Sequence, residues 1–214
     1  VKKLIDKHVV GIEVKDPDGV YEVGKMGKIA QPEDWSEEKT RNETDIIKTR
    51  VTKMIEQQLR DDPYAQEAFS KLLRQVIEEA EKEFDHPLKQ HMLFREFEEQ
   101  VEARRLDEIP DVFSGNKHAQ AYYGVFKKLL PEAFSITDQQ NQDKWIQLAF
   151  EVDRSVMSSV AENSINPQNI EADIRKKLLP QMLRECKSIG SGMDQAKKIV
   201  EMIVQITRVG LNGL

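Results

Sequence analysis

Residues 36–84 read S-E-E-K-T-R-N-E-T-D-I-I-K-T-R-V-T-K-M-I-E-Q-Q-L-R-D-D-P-Y-A-Q-E-A-F-S-K-L-L-R-Q-V-I-E-E-A-E-K-E-F, and the spacing of their apolar residues decides the fold class. In the second half Ala65, Ala68, Phe69, Leu72, Leu73, Val76, Ile77, Ala80 and Phe84 recur at helical intervals, so they share one face while Glu, Lys, Arg and Gln fill the other. Ile47, Val51, Met54, Ile55 and Leu59 repeat the pattern in the first half. Between them Asp62 supplies an N-cap acceptor and Pro63 takes the first helical position, where its missing N–H costs nothing. The stretch predicts a helical hairpin.

Downstream the same logic continues. Asp85-His86-Pro87 interrupts and restarts the chain, and Leu88, Met92, Phe94, Phe97 and Val101 carry a third helix toward Leu106. Ile109-Pro110-Asp111 breaks the periodicity, and Ser114-Gly115-Asn116 turns into a short helix with Ala119, Tyr122, Phe126 and Leu129 on one side, stopped by Pro131. Thr137 or Asp138 caps a long helix striped by Trp145, Ile146, Ala149, Val152, Val156 and Val160. Asn166-Pro167 opens the next, faced by Ile170, Ile174, Leu178 and Met182. Pro180 lies inside it, and a proline in a helix interior costs roughly 3 kcal/mol, so a kink or a split is expected there. After Gly190-Ser191-Gly192 a last helix presents Met193, Ala196, Ile199, Val200, Ile203 and Ile206.

Upstream the pattern differs. Val9-Val10-Gly11-Ile12-Glu13-Val14 is β-branched and ends at Asp16-Pro17-Asp18-Gly19, before a second short run at residues 20–23. The expected class is therefore all-α, two helical bundles in series preceded by a short extended or β-hairpin arm. The expected divisions are an arm over 1–35, a helical domain over 36–106, a connector with a short helix over 107–137, and a C-terminal helical domain over 138–214.

Composition narrows the function. Charged residues make up 33% and hydrophobic ones 39% of the 214 residues, and no apolar run reaches the length of a membrane span, so a membrane partner is not expected. Val1 in place of Met suggests a piece of a longer polypeptide. Cys186 stands alone, which excludes an internal disulfide and fits a reducing cytosol. From Asn166 onward eight Lys/Arg face five Asp/Glu, so the net charge of -6 divides into an acidic body and a basic end.

Chemistry-bearing motifs are sparse. Glu13-Val14-Lys15 imitates the end of a metal-dependent nuclease pattern, but the only acid upstream is Asp6 and Pro17-Asp18 follows in the wrong order. Gly24-Lys25-Met26-Gly27-Lys28 lacks the spacing by which a phosphate loop wraps its nucleotide. His86 and His91 are five residues apart and diverge on a helix, while His8 and His118 are isolated. No catalytic, cofactor-binding or metal-binding residue is assigned. Two basic groups remain. Lys39, Arg50, Lys53 and Arg60 fall on one strip of the first helix and could follow duplex phosphates, each contact being salt-sensitive. Arg175, Lys176 and Lys177 with Arg184 and Lys187 form a candidate partner-docking edge.

The segment K-T-R-N-E-T-D-I-I-K-T-R-V-T-K-M-I-E-Q-Q-L-R-D-D-P-Y-A-Q-E-A-F-S-K-L-L, with L-A-F-E-V-D-R-S-V at 148–156, I-E-A-D-I-R-K-K-L-L from 170 and G-M-D-Q-A-K-K-I-V-E-M-I-V-Q from 192, resembles the C-terminal part of the HsdR family. These are the restriction and translocation subunits of type I restriction-modification enzymes. The resemblance covers roughly 36–209 as a helical pattern. It implies a region behind the motor and nuclease domains, where ATP and Mg²⁺ would act, so this stretch itself would need no cofactor. It further implies docking on the modification (methyltransferase) and specificity subunits in a bacterial cytoplasm, with duplex DNA as the alternative partner.

Overall fold

A computed structural model describes residues 31–135, 139–164 and 166–212. The expected arm, the Glu13-Val14-Lys15 and 24–28 motifs, His8 and the cap at Thr137 or Asp138 lie outside them. The chain divides into two units, Val1–Trp35 and Ser36–Leu214. The described part of the first holds a 3₁₀ turn, Pro32–Asp34.

The second unit is all-α. Among the described residues its elements are α1 (Glu37–Lys53), a π turn (Met54–Gln58), α2 (Pro63–Lys82), α3 (Pro87–Glu102), a 3₁₀ turn (Asp111–Phe113), α4 (Lys117–Leu129), α5 (Pro131–Phe134), α6 (Gln139–Glu162), α7 (Pro167–Ser188) and α8 (Met193–Asn212). None of these helices is long and apolar enough to cross a membrane.

The starts obey the capping signals. Ser36 accepts from the Lys39 N–H at 3.2 Å, Asp62 from Ala65 at 2.9 Å, Asn116 from Ala119 at 2.9 Å and Asn166 from Gln168 at 3.0 Å. Two of the ends use left-handed residues. Gly190 has φ of +79° at the end of α7, with Ser191 N–H donating to the Cys186 carbonyl at 2.8 Å. At the end of α3 the same role falls to Arg104, at φ +49°. A side chain is retained there because Arg104 is buried, its Nη2 donates to both Asp61 carboxylate oxygens at 2.8 and 3.1 Å and to the Gln58 carbonyl, and its own carbonyl accepts from Gln120 at 2.7 Å. That network ties the π turn, the start of α2 and α4 together.

The expected hairpin of the first two helices is not a close pair. α1 lies along α3, while α2 leans on the π turn, α3 and α4. Asp62 at this corner is 1% exposed, and burial pushes its carboxyl up to about 6 against the pull of the Ala65 N–H and the Arg104 charge. Because the folded value exceeds the unfolded one, the stability linked to Asp62 is full below about pH 4 and lost as pH rises through about 6. Asp62→Asn keeps a capping oxygen without the charge. It is expected to raise stability on the order of 2 kcal/mol at pH 8, with the gain over wild type closing toward pH 4. Urea unfolding at both pH values checks this, and a pH-independent gap contradicts it.

α4 occupies the centre. Residues 119–126 are buried without a break, so this helix has no solvent face over two turns, and it packs on α2, α6 and α8. Aromatic rings run outward from it: Phe113–Tyr123 at 5.0 Å, Tyr123–Phe134 at 5.4 Å, and Trp145 at 5.6 Å from both Phe126 and Phe134. The set α1–α3 thus flanks α4 on one side and α6–α8 on the other.

Other expectations shift with this packing. His91, not Met92, faces inward from α3, 3.4 Å from the Thr44 hydroxyl, and burial lowers its pKa. Phe84 lies beyond the end of α2, 63% exposed under the Arg41 guanidinium at 4.6 Å from its ring centre. Pro180 does not split α7, which is continuous from Pro167 to Ser188. Its ring points to the exposed side, while buried Leu178 and Met182 anchor the turns around it.

Candidate docking face

The α7–α8 pair is built from two apolar stripes. Ile170, Ile174, Leu178, Met182 and Cys186 of α7, each at most 4% exposed, pack with Ala196, Ile199, Val200 and Ile203 of α8. Burial raises the Cys186 thiol, which makes it a core residue rather than a nucleophile. The other side of the α7 stripe meets α6 at Val152, Val156 and Ser159.

Charged residues flank the stripes and hold the register. Arg175 forks onto Glu201 at 2.7 and 3.0 Å and reaches Glu171 at 3.3 Å, and Arg208 closes on Glu171 at 2.6 Å. These bonds to guanidinium groups hold the Glu171 and Glu201 carboxyls below their ordinary range and raise Arg175 further. On the α6 side Lys177 binds Asp173 at 2.7 Å and Glu162 at 3.1 Å, and Lys144 binds Glu185 at 2.6 Å. Solvent screens exposed pairs of this kind, so their main effect is to fix which turn lies beside which.

Of the five cations expected to dock a partner, the structure therefore separates two kinds. Arg175 and Lys177 are committed inside the unit. Lys176, Arg184 and Lys187 are exposed, and no ion pair or hydrogen bond joins their side chains to another described residue. Lys197 and Lys198 of α8 are in the same state, though neither stood out in the sequence. Their relevance depends on the pairing of α7 with α8, which no local pattern discloses.

The strip expected to touch DNA is less uniform. Lys39 is half-buried near the start of α1, and Lys53 is exposed at its end. Arg50 forks onto Glu98 of α3, with Nη2 to Oε2 at 2.9 Å, and Glu98 with Glu102 and Glu43 raises its pKa. Arg60 lies past the π turn, with Nε donating to the Glu56 carbonyl at 3.2 Å. The π turn changes the helical phase between Lys53 and Arg60, so the four do not form one straight row.

The remaining candidates for chemistry are dispersed. His118 lies 3.9 Å from Asp153, His86 is exposed at the start of α3, and no group of three or more His, Cys, Asp or Glu among the described residues could hold a metal ion. Comparison of the chain with protein-family models, with curated proteins and with solved structures gave no match.

Proposed function

We propose that this chain is a non-catalytic helical assembly region, one that docks the motor subunit of a type I restriction enzyme on the methyltransferase core of modification and specificity subunits. The parent would be an ATP-dependent endonuclease and translocase, and this region would bring neither its ATP site nor its nuclease. The sequence resemblance over 36–209 motivates the reading. The observation that carries it is the division of charge on α7 and α8, where one set of cations locks the helices together and a second set faces outward with no ion pair to another described residue. A rigid helix pair with outward side chains suits a protein surface. A guide for duplex DNA along α1 is less well supported, because the fork of Arg50 is already filled by Glu98.

The test is co-elution of the intact chain with the modification and specificity subunits encoded beside it, in size-exclusion chromatography at low salt. A shared peak is the expected result, and separate elution contradicts the reading. Removing 166–214 is a poor substitute. It would strip α7 from α6 and α8 from α4, exposing Val152, Val156 and Phe126, so loss of binding would report unfolding.

A further inference from the structure

Of the eight basic residues after Asn166, Arg175, Lys177 and Arg208 are engaged in ion pairs, while Lys176, Arg184, Lys187, Lys197 and Lys198 are exposed, with no ion pair or hydrogen bond to another described residue. Of the five acids, Glu171, Asp173, Glu185 and Glu201 are engaged, and among the described residues Asp194 has no such pair, placed at the start of α8 where the helix dipole favours it. An ordinary solvated helix face mixes both signs. Here the charges with no ion pair among the described residues are five positive to one negative, on a chain whose net charge is -6.

The free cations converge. Lys176, Pro180 and Arg184 follow one another at four-residue spacing on the exposed ridge of α7, opposite Ile174, Leu178 and Met182, and Lys187 lies one turn beyond Arg184. The pairs Arg175–Glu201 and Glu171–Arg208 set α7 and α8 antiparallel, which brings Lys197, one turn before Glu201, level with Leu179. Leu179 and Leu183 are partly buried between the two rows. Pro180 brings no N–H, so the Lys176 carbonyl lacks the intrahelical donor it would otherwise have four residues on. The ridge thus presents cations beside an apolar seam.

We infer that this ridge, Lys176, Arg184, Lys187 and Lys197 around Leu179 and Leu183, is the docking site for a carboxylate-rich protein surface on the methyltransferase core. The inference rests on the docking reading above. A protein rather than a nucleic acid fits, because the leucines and Pro180 lie among the cations where a phosphate backbone would gain nothing from them, and the acidic remainder of the chain repels an extended polyanion.

The experiment uses the intact chain carrying Lys176→Glu, Arg184→Glu, Lys187→Glu and Lys197→Glu together, titrated onto the modification–specificity core and separately onto a short DNA duplex. These side chains make no ion pair or hydrogen bond to another described residue, so helical circular dichroism and melting should match wild type. Affinity for the core is expected to fall at least about a hundredfold, with the Gln versions of the four intermediate and Lys198→Glu near wild type. If the wild type binds the core and the Glu variant binds it equally, the ridge is not the site although docking stands. If the wild type does not bind the core, the docking reading fails and the inference with it. Loss of duplex binding with core binding intact overturns the inference in favour of DNA. Should the Glu variant melt early, the Gln set decides: affinity unchanged from wild type overturns the assignment.

Discussion

Trp145→Ala is expected to remove about 3–5 kcal/mol of stability, the range for deleting a fully buried large aromatic. Trp145 is 0% exposed and stands between Phe126 of α4 and Phe134 of α5, with its indole N–H donating to Asn141 at 3.2 Å. Asn141 in turn donates to the Ala133 carbonyl at 2.5 Å, which fixes the short α5 against α6. Truncation removes the ring that joins three helices and leaves a cavity that rigid neighbours cannot close. Guanidinium denaturation monitored by circular dichroism measures the loss. Trp145→Phe, which keeps a ring in the gap, should lie well below Ala. A loss under about 1 kcal/mol for Ala would show that α4, α5 and α6 do not share this core.

Gly124→Val is expected to be about as damaging, at roughly 3 kcal/mol or more, through the opposite fault of too many atoms. A Cβ built on Gly124 would lie 2.7 Å from Cβ of Tyr64 and 3.0 Å from its Cγ. Those atoms are the root of the side chain and cannot swing aside. The far end of Tyr64 is held as well, because its hydroxyl donates to Glu108 at 2.6 Å and Lys127 lies 5.8 Å from the ring centre. Relief therefore requires α2 and α4 to move apart, which opens the contact joining the two helical sets. Gly124→Ala should cost about 1–3 kcal/mol by the same route. Thermal melting of the two variants should rank them in that order, and a Val variant as stable as wild type would contradict the close approach.

Much of the helical order was legible because it is written locally. The caps at Ser36, Asp62 and Asn166 and the prolines after the last two mark starts that the structure reproduces. The stripes through Ile174 and Ile203 mark faces that are buried as expected. What the sequence hid depends on partners distant along the chain. The centrality of α4 follows from its being covered by α2, α6 and α8, whereas its periodicity alone suggested a single apolar side. Half-exposure of Leu72, Val76 and Ile77 on α2 follows from α1 pairing with α3 instead of with α2. On α7, the local sequence marks Arg175, Lys176, Lys177, Arg184 and Lys187 as a basic group, but not which of these cations are committed to ion pairs. Charge composition is local information, and ion pairing across helices is not. Lys197 could have been found only by knowing that Glu201 lies beside Arg175.

The claim that the chain is a docking region whose outward cations meet an acidic partner is tested most directly by its affinity for the modification–specificity core across a salt series. Binding is expected at low ionic strength and should weaken steadily as salt is raised, since the ridge charges are exposed and screened over about 10 Å at 0.1 M. No binding at low salt, or binding indifferent to salt, would contradict it.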